Sequence, residues 1–113
     1  MPPLRPDRVL IHPDVLPAYE AIELAAAMGR KREGSLWRSI ERAWDRVSDD
    51  AQWGEVIPRI PARFVERYKP KNLYCVDLAL FHRAFYTIEG LDVVFLDIVD
   101  HPTYDKWFPG RGR

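Results

Sequence analysis

Residues 73 to 108 read LYCVDLALFHRAFYTIEGLDVVFLDIVDHPTYDKWF, and the periodicity of this stretch decides the fold class. Three runs, LYCVDLAL, HRAFYTI and LDVVFLDIV, are rich in Val, Ile, Phe and Tyr, the residues that fit a pleated surface. Glu89-Gly90 lies between the last two runs and supplies a hairpin turn, because glycine takes positive φ without strain. Strand alternation then puts His82, Ala84, Tyr86 and Ile88 on one side and Arg83, Phe85 and Thr87 on the other. Arg83 is a charge inside an otherwise apolar strand. It must reach solvent, pair with a carboxylate such as Asp77 or Asp97, or meet a ligand. Beyond the last run His101, Tyr104, Asp105 and Lys106 form a polar cluster on a short final helix or extended tail.

N-terminal to these strands the period changes. DRVLIHP, residues 7 to 13, holds a short apolar run closed by Pro13 and reads as a first strand. From Asp14 the apolar residues Val15, Ala18, Tyr19, Ile22, Ala25 and Ala26 fall three and four apart, which predicts a helix near residues 14 to 29. Gly29 ends it and GRKREG is the expected turn. Ser35 is the expected N-cap of a second helix near residues 35 to 50, with Leu36, Ile40, Ala43 and Val47 as its buried stripe and Trp37 and Trp44 beside them. The segment VIPRIPARFVERYKPKN is punctuated by Pro58, Pro61 and Pro70 and reads as an irregular arm with one helical turn from Arg63 to Tyr68. The order strand, helix, helix, strand, strand, strand predicts an α+β domain over residues 1 to 113. Two N-terminal helices pack on one face of a four-stranded, mostly antiparallel sheet, and the other face stays partly open. The expected core is Val15, Tyr19, Ile22, Leu36, Ile40 and Val47 from the helices, with Val76, Leu78, Tyr86, Phe95 and Ile98 from the sheet.

The totals agree with one globular domain: 113 residues, 47% hydrophobic and 30% charged, with 10 Pro. No window approaches the roughly 18 uninterrupted apolar residues of a membrane span, and the first residues lack the order of a secretory signal, so the expected location is the cytoplasm. The one cysteine, Cys75, forms no internal disulfide and no Cys-based zinc site, and its strand context marks it as a packed thiol. Formal charge is zero, but unevenly distributed. Residues 30 to 71 hold eleven Lys or Arg against seven Asp or Glu, a local +4, whereas residues 72 to 108 hold two against six, a local −4. Broad binding of a polyanion would need net positive charge, so only a local basic patch can serve. His12, His82 and His101 have no metal-ligand spacing, no glycine-rich phosphate loop is present, and no Ser or Cys has a neighbouring base in sequence. No metal and no cofactor is expected.

The chemistry-bearing set is then Arg83, His101, Tyr104 and the basic arm from Arg59 to Lys71. Cleavage of RNA without metal needs a base for the ribose 2′-OH, an acid for the leaving 5′-oxygen and a cation for the phosphate, and these residue types supply all three. The same residues also admit a structural account. In it Arg83 pairs with a strand carboxylate, His101 caps a strand end, and Tyr104, Trp107 and Phe108 pack the tail onto the sheet.

NLYCVDLALFHRAFYTI followed by VVFLDIVDHPTYDKWF resembles the C-terminal half of the RelE/ParE superfamily of toxins, in which a strand phrase leads to Arg within R-x-x-Y and the chain closes on DH-x-x-Y. Arg83, Tyr86, His101 and Tyr104 stand at those positions, and the expected order of elements is similar throughout. The resemblance implies the toxin of a type II toxin-antitoxin system. In the nuclease branch this is a metal-independent endoribonuclease that cleaves messenger RNA on the ribosome by 2′-OH attack on the adjacent phosphate, and a cognate antitoxin neutralises it. It implies Arg83, His101 and Tyr104 as catalytic residues, with Tyr104 stacking on a base or donating to the leaving oxygen, and Lys69, Lys71, Arg63 and Arg67 as substrate-binding residues. An acidic, disordered antitoxin segment would meet the patch from Arg59 to Lys71. The ParE branch implies instead a non-catalytic inhibitor of DNA gyrase, and a degenerate member would only bind its partner. Nuclease members tend to be strongly basic, whereas this chain is neutral and LYCVDLAL offers only Asp77.

Overall fold

The computed structural model describes residues 2–108. The chain runs β1 (Arg8–Ile11), α1 (Leu16–Ala27), α2 (Lys31–Asp49), β2 (Glu55–Val56), α3 (Ala62–Tyr68), β3 (Tyr74–Asp77), β4 (His82–Glu89), β5 (Asp92–Asp100) and α4 (His101–Trp107). The fold is α+β, with four helices and one mixed five-stranded sheet in the order β1-β5-β4-β3-β2. Strands β2 to β5 are antiparallel to their neighbours, and β1 joins the edge of β5 in parallel. The expected four strands are thus extended by β2, a two-residue pairing of Glu55 with Cys75 and Val56 with Tyr74, too short for any alternation to reveal.

The helix pair turns more tightly than the sequence predicts. Gly29, at φ 85°, donates its N–H to the Ala26 carbonyl and reverses the chain, and Arg30 is already extended as the N-cap of α2. KREG is therefore the first turn of the helix, not a loop, and Ser35 lies inside it, where its Oγ accepts from the Arg38 guanidinium at 3.3 Å. The helical cost of Gly34, about 1 kcal/mol, does not outweigh a helix that buries Leu36, Ile40, Ala43 and Val47.

Two cores lie on opposite faces of the sheet. On one, α1 and α2 bring Val15, Tyr19, Leu36, Ile40 and Val47 onto Val76, Leu78, Tyr86, Val93 and Phe95, while Ile22 and Ile98 are only partly buried. On the other, Ile57, Phe64, Leu73, Phe85, Leu96 and Val99 pack with Tyr104 and Phe108. The expectation of a partly open second face is corrected: α3 and α4 cover it. Phe85 makes this possible. Its ring lies against Phe64 at 5.0 Å and Phe108 at 5.6 Å, and leaving such a ring in water would forfeit about 2 to 3 kcal/mol of burial.

The last hairpin turns through Gly90, at φ 61°, and Leu91, closed by the pair Glu89 and Asp92. Register is regular to Tyr86 opposite Phe95. It then shifts by one residue, so that Ala84 faces Ile98 and His82 faces Asp100. Such a bulge re-aims the side chains beyond it. The run LYCVDLAL is only half strand: it stops at Asp77, and Leu80 and Phe81 both adopt left-handed backbone, φ 59° and 57°. His82 donates its N–H to the Ala79 carbonyl at 3.2 Å, closing the turn.

Candidate functional site

Arg83 projects from β4 on the face covered by α4. Its Nη1 lies 3.1 Å from Asp77 Oδ1 on the neighbouring strand, whose residue is its direct cross-strand partner. Its guanidinium carbon sits 4.2 Å above the Tyr104 ring. The ring is 3% exposed and lies between Phe108 at 4.7 Å and Phe85 at 6.3 Å, nearly parallel to the latter. Tyr104 therefore offers no free face to a base, which corrects the expected stacking role. It is instead the platform that fixes the plane of Arg83 through a cation–π contact. Arg83 retains 21% side-chain exposure, whereas its partner Asp77 is 80% exposed. The pair is thus held firmly from below and loosely from the solvent side.

His101 opens α4 directly after β5. Its Nε2 lies 3.2 Å from Asp105 Oδ2, one turn further along. Arg83, His101 and Asp77 line a common groove of about 560 Å³ with Leu80, Phe81 and His82. The last two are further candidates, brought to the groove by the fold. His82 Nδ1 lies 2.8 Å from the Leu80 carbonyl. A carbonyl can only accept, so Nδ1 carries the proton and Nε2 keeps a free lone pair in the neutral ring. Phe81, 82% exposed, stands at the tip of the left-handed turn with its ring 6.4 Å from that of His101. A large aromatic in left-handed backbone is a strained arrangement of the kind that clusters at functional sites. The exposed Phe beside His and Arg in FHR was the available signal. The turn that makes it protrude was not legible, because it contains neither Gly nor Asn.

The remaining predicted residues lie elsewhere. Arg63 Nη2 and Arg67 Nη1 both reach the nearly buried Asp97, at 3.4 and 3.5 Å. Arg63 also stacks over Trp107 at 3.9 Å, and Arg67 over Tyr68 at 5.1 Å. These two cations fasten α3 to β5 and α4, and each keeps about two fifths of its side chain exposed. Lys69, the left-handed C-cap of α3, and Lys71 are exposed but precede β3. Six residue steps, roughly 20 Å when extended, separate Lys71 from Asp77 at the other end of that strand. Tyr86 is fully buried; its hydroxyl donates to the Ala51 carbonyl at 2.7 Å and accepts from the Gly54 N–H at 2.9 Å. It anchors the loop after α2 and is not a site residue. Cys75 is buried beneath Arg83, and burial pushes its thiol up to about 12 against the pull of that cation, so it is packed and unreactive.

Among the described residues no helix is long and apolar enough to cross a membrane, and no three His, Cys, Asp or Glu side chains gather as a metal-holding group. Comparisons with family models, with curated proteins and with solved structures returned no match for this chain.

Proposed function

We propose that this chain is a metal-independent endoribonuclease toxin of the RelE/ParE kind, acting on messenger RNA at the ribosome and held inactive by a cognate antitoxin. The observation that carries the reading is the Arg83 guanidinium, fixed on Tyr104 and turned toward a groove that also holds two histidines. A planar, permanently charged fork is suited to two oxygens of a phosphate whose charge grows in the transition state. Asp77 Oδ1 pairs with one arm of that fork, Nη1. Being exposed, it contributes at most about 1 kcal/mol and is readily displaced.

The neutral ring of His82 takes the 2′-OH proton at Nε2. The 2′-oxygen attacks the adjacent phosphorus, the bond to the 5′-oxygen breaks, and protonated His101 supplies the proton that the leaving oxygen needs. The products are a 2′,3′-cyclic phosphate and a free 5′-hydroxyl, so atoms and charge balance without metal. Phe81 is free to stack on a base of the strand being cut. The antitoxin's acidic segment would meet Arg59, Lys69 and Lys71, since Arg63 and Arg67 are already engaged by Asp97.

Arg83→Ala and His101→Ala test the reading. Each is expected to lower the rate of RNA cleavage about a hundredfold or more, because one contact to the developing charge is worth on the order of 3 kcal/mol, and to relieve growth arrest while the fold is retained. Both variants cutting RNA like the parent would refute it. The acidic balance of residues 72 to 108, a local −4, favours, as a second reading, a non-catalytic ParE-like member. A parent that stalls DNA gyrase without cutting RNA would establish that alternative.

A further inference from the structure

The groove around Arg83 carries little net positive charge, since Asp77 faces the guanidinium and residues 72 to 108 are −4. A polyanionic strand held there needs cations from another part of the fold. They stand next door. A second groove, about 420 Å³, is lined by Ser39, Arg42, Arg46 and Trp53 and shares its Asp77 and Leu78 wall with the first. Arg42 and Arg46 lie one turn apart on the exposed side of α2, about 6 Å along its axis. Neither forms an ion pair among the described residues. Trp53 is 45% exposed beside them. The dividing wall is held rigid, because Ser39 Oγ donates to the Leu36 carbonyl at 2.7 Å and accepts from the Ala79 N–H at 3.0 Å.

We infer that this second groove is a nucleotide subsite, in which Arg42 and Arg46 hold backbone phosphates and Trp53 stacks on a base of the same single RNA strand that crosses Arg83. Unpaired arginines interleaved with an exposed indole are the chemistry of single-strand binding, where a cationic track follows the backbone and aromatic faces take bases without regard to sequence. The inference rests on the nuclease reading and extends it: the substrate is a strand several nucleotides long, bound on both sides of the Asp77 and Leu78 wall. The other walls agree with this. Ala43, Leu78 and Ala79 add no carboxylate, so Asp77 is the one anion lining the subsite among the described residues.

The test is the affinity of 2′-O-methyl oligoribonucleotides, which cannot be cleaved, measured by fluorescence anisotropy with a dinucleotide and an octanucleotide. Trp53→Ala is expected to weaken octanucleotide binding about fivefold to a hundredfold and to change dinucleotide binding by less than about twofold. The pair Arg42→Gln and Arg46→Gln, which keeps the packed stems, is expected to reduce the dependence of log affinity on log salt by about 1.4. If the octanucleotide binds in an Arg83-dependent way and neither the tryptophan nor the arginine variants alter affinity or salt dependence, the subsite is overturned and the nuclease reading stands. A parent that binds neither oligonucleotide overturns both.

Discussion

Phe81→Gly separates the strain stored in the β3–β4 turn from the use of its aromatic ring. Phe81 has φ 57° and a side chain 82% exposed, so replacement by glycine forfeits almost no apolar burial. A left-handed conformation costs an L-residue with a Cβ about 1 to 2 kcal/mol, and glycine occupies it freely. Against this, glycine's greater freedom in the unfolded chain subtracts about 0.5 to 1 kcal/mol. The expected net effect is stabilisation by about 0.5 to 1 kcal/mol, a rise in Tm of roughly 2 to 5 °C for a domain of this size. Urea unfolding reads the change as a higher midpoint at constant slope. RNA affinity should move the other way. Losing one stacked base costs on the order of 1 to 3 kcal/mol, or about fivefold to a hundredfold. A residue that lowers stability while serving a ligand is the signature of a functional position. A loss of stability on substitution would refute the strain argument, and unchanged RNA affinity would refute the stacking role.

Asp97 holds both Arg63 and Arg67 while nearly buried. Asp97→Ala is therefore expected to destabilise the fold by about 1 to 2 kcal/mol in denaturant unfolding, below the figure for a fully buried pair because both guanidinium groups are partly in water. Alkaline stability follows from Cys75 and Tyr68, whose folded pKa values are each pushed up to about 12, in both cases mainly by burial. Both groups are neutral when protonated and bind their protons more tightly in the folded state. Their contribution is complete below the unfolded values near 9 and 10, and it is lost as pH rises toward 12. Unfolding midpoints followed from pH 8 to pH 11.5 should fall first through Cys75, and Cys75→Ala should remove the earlier part of that fall.

Arg83 was conspicuous in sequence because a charge interrupts an apolar strand, and its pairing with Asp77 was one of three outcomes open to it. Tyr104 was equally conspicuous, but its aromatic neighbours are Phe108, four residues on at the end of α4, and Phe85 on a separate strand. Only the packed face reveals that the ring is a buried support and not a stacking surface. His82 was invisible as a site residue because its nearness to His101 depends on the one-residue bulge that sets it opposite Asp100. Arg42, Arg46 and Trp53 are brought beside Asp77 by the return of the chain from α2 into the sheet, a relation with no trace in local pattern.

Local physics in the sequence determined the α+β class, the two amphipathic helices and the antiparallel strands of the C-terminal half, because periods of 3.6 and 2 are properties of neighbouring residues. It also determined that Tyr19, Ile40, Val47 and Phe95 are core. Tertiary structure alone decided the pairing of β1 with β5, the short β2, the closure of the second face by α3 and α4, and the left-handed turn at Leu80 and Phe81. Each depends on contacts between residues distant in the chain. The turn in particular goes against local preference: Leu and Phe favour neither of its conformations, and it persists because the β3–β4 pairing and the Ser39 hydrogen bond to Ala79 hold both ends in place.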